Sequence, residues 1–285
     1  ARAVIETGIR ANLSRNPVKF TEEGKCSFRD DTEGCFEYFK TWNGQAGGRI
    51  RVYIEVHSVY LFDEASLRNA AELASNCNTG IYIHLLETKG EREECVSKYG
   101  IDPAELCCKC GIFDLPTLAA HCVHLSERDI EILKEKNVNV VHNPTSNLKL
   151  GSGIARIPYL MERGIRVALG TDGAASNNNL NMFEEMHIAA LIHKGVNQDP
   201  GLLSAGQVVE MATVNGAAAI GFGNETGCIK KGMKADIVIL DMDKPHYYPL
   251  NDPVTAIVYS SQASDVDTVI VNGNILMEKQ EMKTI

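Results

Sequence analysis

Five ionisable side chains, His57, His84, His121, His142 and Asp172, stand at or just beyond the end of a short β-branched or aliphatic run. Neutral imidazole is the commonest metal ligand in proteins and titrates near neutral pH, so histidines gathered at successive strand ends suit a metal centre or proton transfer. In His84-Leu85-Leu86-Glu87 an imidazole is followed closely by a carboxylate, which fits a ligand beside a proton carrier. Asp172 lies in Leu169-Gly170-Thr171-Asp172-Gly173, where a carboxylate can serve as ligand or base, or cap the helix that follows. His121-Cys122-Val123-His124 holds two imidazoles that would face opposite ways on a strand, so His121 is assigned to the site and His124 to a supporting or helix-entry role. Any one of these histidines alone reads as a hydrogen-bonded structural residue; their recurrence at one place on successive strands argues for a shared site. His187, His193 and His246 carry no such positional argument and are expected on the surface or on helix faces.

The elements that must position these groups alternate. Candidate strands span 9–13, 50–57, 80–86, 117–121, 138–142 and 165–171, with segments of helical period at 63–75, 126–136 and 154–163 and further helices at 181–194 and 204–221. Ser126 with Asp129 three residues on marks a helix start, and Gly164 a helix end. Six parallel strands with this rhythm admit an open doubly wound sheet or most of an eight-stranded β/α barrel. No G-x-G-x-x-G follows the first strands, and catalytic groups at the ends of different strands are the habit of barrels, so an α/β barrel of about six of eight strands is expected. From Gly227 onward short strands with turn punctuation replace the β/α rhythm, and Asn272-Gly273 between apolar runs predicts a hairpin. The expected domains are 1–226, a partial barrel, and 227–285, part of a small β-sandwich.

The 285 residues carry 28 Lys+Arg against 37 Asp+Glu, a net charge of −9, with no dense basic run, so nucleic acid and anionic membranes are not expected partners. A small, non-polyanionic substrate is. The apolar runs are strand-sized, far short of the ~20 residues a membrane-spanning helix needs, and no secretory leader opens the sequence, so a cytoplasmic location is expected. Nine cysteines are an odd number in a chain too large to depend on disulfide staples, and they read as reduced thiols. Cys107-Cys108-Lys109-Cys110 contains a C-x-x-C, but no second pair completes a four-sulfur zinc site, and a helix end with free thiols is expected.

The runs Ile83-His84-Leu85-Leu86-Glu87-Thr88, Ala119-Ala120-His121-Cys122-Val123-His124-Leu125, Val141-His142-Asn143-Pro144-Thr145-Ser146-Asn147-Leu148-Lys149-Leu150 and Leu169-Gly170-Thr171-Asp172-Gly173-Ala174-Ala175-Ser176-Asn177-Asn178 resemble the amidohydrolase superfamily. Within it they are most similar to the 5′-methylthioadenosine/S-adenosylhomocysteine deaminases and their 5′-deoxyadenosine-deaminating relatives. The resemblance spans nearly the whole chain. It implies that His84 and Asp172 bind one divalent metal, zinc or else iron, that Glu87 shuttles protons at the purine ring, and that His121 orients the attacking water. It also implies that His57 contacts the nucleoside, that Arg15 lies near the 5′ substituent, and that the protein forms homo-oligomers.

Two departures stand out. The family's first strand ends in His-x-His, which supplies two further ligands, and no H-x-H occurs in this sequence. With six strands visible where a barrel has eight, the chain reads as lacking roughly the first hundred residues of such a protein, and as inactive in that form. Glu55-Val56-His57-Ser58-Val59 also stands where relatives more often carry Gly-Pro-His-x-Pro.

The reaction so implied is hydrolytic deamination of an adenine nucleoside to its inosine analogue and ammonia, with water attacking C6 while Glu87 protonates N1. The rivals are another amidohydrolase acting on guanine, cytosine or a chlorinated triazine, and an inactive remnant with an open, aggregation-prone edge. A cytidine-type deaminase is disfavoured, since that class needs H-x-E and P-C-x-x-C, whereas Leu106 precedes Cys107 here.

Overall fold

The computed structural model describes residues 1–16 and 31–285, together with the backbone of two short paired strands, Lys19–Phe20 and Cys26–Ser27. Six strands, β1 Ala11–Arg15, β2 Ile50–Val56, β3 Ile81–Leu85, β4 Thr117–His121, β5 Asn139–His142 and β6 Val167–Leu169, hydrogen-bond in that order into one sheet. All six expected strands are present. The pairings β1 to β2, β2 to β3, β3 to β4 and β4 to β5 are parallel, with His84 opposite Ala120 and Leu85 opposite His121. From β1 to β5 sequence order equals spatial order, so each of these connections is a crossover and these carboxyl ends lie along one edge.

One face of the strands is the apolar one: Ile50, Val52, Ile54 and Val56 of β2 and Ile81, Ile83 and Leu85 of β3 alternate with the less buried Arg51, Glu55, Tyr82 and His84, while all of β6 is buried. Gly80, just before β3, is there because no side chain fits: a Cβ would lie 2.5 Å from both the Pro116 carbonyl oxygen and the Tyr53 ring.

The chain divides into two compact units. The first comprises 11–142 and 151–166. Its helix Glu64–Asn76 buries Leu67, Ala70, Ala71 and Ala74 at helical spacing and is capped by Asp63, which accepts the Ser66 N–H. Its helix Glu127–Glu135 opens on the expected capping box of Ser126 and Asp129. Helix Lys89–Tyr99, by contrast, has no apolar stripe and buries only Glu91 and Cys95. Helix Pro103–Lys109 ends at the cysteine cluster, and the cysteines among the described residues are free thiols. Cys26 lies outside the residues whose side chains are described.

The second unit comprises 1–10, 143–150 and 167–285. Helix Met182–Asn197 runs through it, and on it His193 is buried, 1% exposed, rather than on the surface. The helix expected over 204–221 is two helices, Ala205–Ala212 and Val214–Ala219, because Thr213 leaves helical geometry at φ −123°, ψ −86°. That break turns Asn215 so that its amide donates to the Val167 carbonyl of β6. At the carboxyl end β7 Ile237–Leu240, β8 Val266–Val271, β9 Asn274–Glu278 and β10 Glu281–Met282 form a small antiparallel sheet. Asn272 and Gly273 turn β8 into β9 with φ of 53° and 79°, the left-handed pair a tight hairpin needs. No helix among the described residues is long and apolar enough to cross a membrane.

Candidate active site

In the first unit the strand-end histidines His57, His84 and His121 gather, and Asp172 follows a strand of the second unit. His84 is the penultimate residue of β3, His121 is the last of β4, and Asp172 follows β6 by three residues. The rings of His84 and His121 stack with centroids 5.5 Å apart, and the His57 ring lies 4.7 Å from that of His84.

The backbone at these strand ends is unusual. His121 and Cys122 have φ of 70° and 52°, Asp172 has 61° and Leu86 has 51°. Each costs about 1–2 kcal/mol for a residue with a Cβ, and such residues gather where a side chain must be aimed. The surroundings hold them there. Cys122 N–H donates to the Leu85 carbonyl, and Val123 and His124 N–H both donate to that of Leu86.

His84 has a defined tautomer. Its Nδ1 lies 2.7 Å from the His57 carbonyl oxygen, which can only accept, so Nδ1 carries the hydrogen and Nε2 keeps its lone pair. That is the state of a metal-ligating imidazole, and two stacked imidazoles are donors suited to zinc or iron. The residues present therefore fit a divalent cation. His57 is half-buried, and burial together with the neighbouring His84 holds its pKa below the usual histidine value. Its Nδ1 lies 3.1 Å from Ser58 Oγ.

Glu87 follows β3 by two residues. Its Oε1 accepts from Ser152 Oγ at 3.1 Å, and its Oε2 stands 3.9 Å from His121 Nε2, too far for a direct hydrogen bond. His124 approaches the Ser152 carbonyl oxygen at 2.8 Å with its Nε2, so the expected supporting role for His124 takes the form of holding the Ser152 loop. Asp172 is held by two donors: Ser146 Oγ to Oδ2 at 2.7 Å and the Gly173 N–H to Oδ1 at 2.7 Å. Behind it, the wholly buried Glu185 accepts the Thr145 N–H at 3.2 Å and the Asn177 amide at 2.6 Å, and the same amide donates to the Thr171 carbonyl. Burial raises the Glu185 pKa.

Arg15 lies at the end of β1, partly exposed, with its guanidinium paired to Asp31 at 2.6 Å. His142 is buried at the end of β5. Ser146, Ser152, Glu91 and Glu185 were not singled out by sequence reasoning. For Ser146 and Ser152 the available signal was their place after the strand-end His142, Ser146 in the short helix Pro144–Lys149 and Ser152 in the loop beyond it.

Comparison with known proteins decides the family. A model described as the amidohydrolase family matches residues 1–276. The chain belongs to the amidohydrolase family. It is 64% identical over 285 residues to the 5-methylthioadenosine/S-adenosylhomocysteine deaminase of Acetivibrio thermocellus, covering all of this chain and 65% of that protein. It is 49% identical to the protein of the same name from Thermoanaerobacter pseudethanolicus, of which it covers 66%. The chain thus spans about 65% of the length of the curated relatives it matches. An adenosine deaminase structure from Xanthomonas campestris with bound zinc superimposes with a TM-score of 0.94 at 29% identity, covering all of this chain and 64% of that one. A triazine hydrolase variant at 22% identity shares the fold with a TM-score of 0.92. The amidohydrolase fold is therefore the fold of this chain: a parallel six-stranded β/α sheet of the barrel type with a small antiparallel sheet at the carboxyl end.

Proposed function

We propose that this amidohydrolase deaminates an adenine nucleoside, 5′-methylthioadenosine, S-adenosylhomocysteine, 5′-deoxyadenosine or adenosine, to the inosine analogue and ammonia. The observation that carries the reading is the pair of stacked imidazoles, His84 and His121, with the Glu87 carboxylate alongside His121. The 64% identity to a protein named as a deaminase of this substrate class supports the choice of nucleoside.

His84 and Asp172 would hold a divalent cation, zinc being favoured by the adenosine deaminase neighbour. When bound, such a cation supplies a water whose pKa is lowered toward neutrality. The chain's own residues do the rest. His121, fixed by its left-handed backbone, orients the attacking water through its imidazole, and Asp172 accepts the proton that water gives up. Glu87 gives its proton to N1 of the purine, which makes C6 electrophilic, then takes the remaining hydroxyl proton at C6 and delivers it to the departing ammonia, and the proton held by Asp172 returns through solvent to Glu87. Ser152 serves that role by fixing one carboxylate oxygen while the other is left for the substrate. His57, half-buried beside His84, contacts the nucleoside. Arg15 lies toward the 5′ substituent, with Asp31 holding its guanidinium.

The whole protein, purified and loaded with zinc, should release ammonia from adenine nucleosides, with the absorbance change of adenine becoming hypoxanthine. Zinc bound stoichiometrically without ammonia from any of the four would overturn the substrate class, and guanine and triazine substrates tested beside them would reveal the alternative.

A further inference from the structure

Helix Lys89–Tyr99 is polar almost throughout, yet it buries a carboxyl: Glu91 is 4% exposed. Burying a carboxyl where an apolar side chain would fit is unfavourable unless the group has work to do. Thr88 caps the helix by accepting the Glu91 N–H, so Thr88-Lys89-Gly90-Glu91 has the S/T-x-x-E pattern of a capping box. In a capping box the glutamate returns to the N–H of the cap residue itself. Here it reaches one residue further, and Glu91 Oε2 accepts the N–H of Glu87 at 3.1 Å.

That peptide is the one that aims Glu87. Leu86 turns through the left-handed region at φ 51°, and its carbonyl is held by the N–H groups of Val123 and His124 at 3.1 and 3.0 Å. The turn is thus gripped on both sides, on its carbonyl by the loop after β4 and on the following N–H by Glu91. The other Glu91 oxygen, Oε1, has no hydrogen-bond partner among the described residues. The carboxylate is also favoured by the neighbouring Leu86 N–H, so its contacts in this turn are to two successive backbone N–H groups.

We infer that Glu91 is a positioning residue, whose carboxyl holds the left-handed turn at Leu86 and so points the Glu87 side chain at the reacting atoms. The inference rests on the reading of Glu87 as the proton carrier. The groups around Glu91 are Glu87, Asp129, Cys95, Cys107 and Cys122, all of which interact with it electrostatically, and Arg92, which pairs with Asp102 and approaches Asp129.

The test compares Glu91→Gln, Glu91→Leu and Glu91→Asp in the full chain by residue-resolved amide exchange, zinc content and ammonia release. Gln keeps an acceptor oxygen and should hold exchange at the Glu87 amide near that of the parent. Leu removes the acceptor and Asp withdraws it by one methylene, so both should speed exchange at Glu87 about tenfold or more while Ile83 and Leu85 in β3 keep their rates. In both, kcat should fall about 100-fold with KM and zinc content little changed, the signature of a misaimed group rather than a lost ligand. Unchanged exchange at Glu87 in the Leu and Asp variants would overturn the inference. So would exchange that rises uniformly through β3 and the helix, which would make Glu91 a fold residue only. The exchange measurement needs no substrate, so a protein that releases no ammonia sinks the proposed reaction and leaves the backbone claim decidable.

Discussion

The Nδ1 atom of His84 lies 2.7 Å from the carbonyl oxygen of His57, the same oxygen that accepts the His84 backbone N–H at 3.0 Å. One carbonyl on β2's extension thereby fixes both the main chain and the ring of the residue on β3. The proton is forced onto Nδ1, and Nε2 is presented as a ligand before any cation arrives. Nitrogen-15 NMR of the metal-free protein should show His84 in the Nδ1–H tautomer. Replacing His84 by Ala should weaken zinc binding by at least about 100-fold while leaving the thermal transition close to that of the metal-free parent. A parent-like zinc stoichiometry in that variant would mean that the ion is held elsewhere.

Ser152 and Glu87 make a second separable prediction. Glu87→Gln keeps the shape and the hydrogen bond from Ser152 but cannot carry a proton, so kcat for ammonia release should fall by about 10²–10⁴ with zinc retained. Ser152→Ala should fall by less, about tenfold, because only the orientation of the carboxylate is lost. Equal effects of the two variants would argue that Ser152 itself touches the substrate.

Glu185 should matter to stability as well as to activity. Its two oxygens separately receive the Thr145 N–H and the Asn177 amide, tying together the segments that carry Ser146 and Asp172. Glu185→Ala leaves two buried donors unpaired, each costing about 1–3 kcal/mol, so urea unfolding should show a loss of ~2–6 kcal/mol. Glu185→Gln retains one acceptor and should lose about half as much. A loss below ~1 kcal/mol in the Ala variant would show that water replaces the carboxylate there.

Sequence and structure agree where packing dictates the pattern. Strands β2 to β6 each bury at least one face, so each shows a short run or alternation of apolar residues that can be read without knowing its neighbours, and the polar residue at or just beyond its end is conspicuous. Asn272-Gly273 is equally local, since the turn needs two left-handed residues. Helix Lys89–Tyr99 escaped because, with only Glu91 and Cys95 buried, it presents no apolar periodicity. Its Thr88 and Gly100 are end signals that can be recognised once a helix is suspected. The left-handed backbone at Leu86, His121 and Asp172 leaves no trace in residue type, because tertiary hydrogen bonds rather than glycine impose it. Glu91 and Glu185 were invisible for a related reason: a glutamate on a helix reads as solvent-facing until its burial is seen.

Two buried groups should give the stability opposite dependences on pH. Burial pushes His193 down to about 4 and Glu91 up to about 7, from ordinary values of 6.5 and 4.5. For His193 the unfolded chain binds the proton more readily, so its contribution is complete above pH 6.5 and is lost as pH falls through 4. For Glu91 the folded chain holds the proton more tightly, so stability is greatest below pH 4.5 and declines as pH rises toward 7. Each separation is about 2.5 pH units, worth ~3 kcal/mol at 1.36 kcal/mol per unit. The two slopes oppose one another between pH 4.5 and 6.5, and each is exposed only by removing the other. Relative to the parent, Glu91→Gln should therefore gain up to ~3 kcal/mol between pH 4.5 and 7, whereas His193→Gln should gain a similar amount as pH falls from 6.5 to 4. Urea unfolding of the three proteins across pH 4–8 measures both, and difference curves with no slope would show that both groups are solvated in the folded protein.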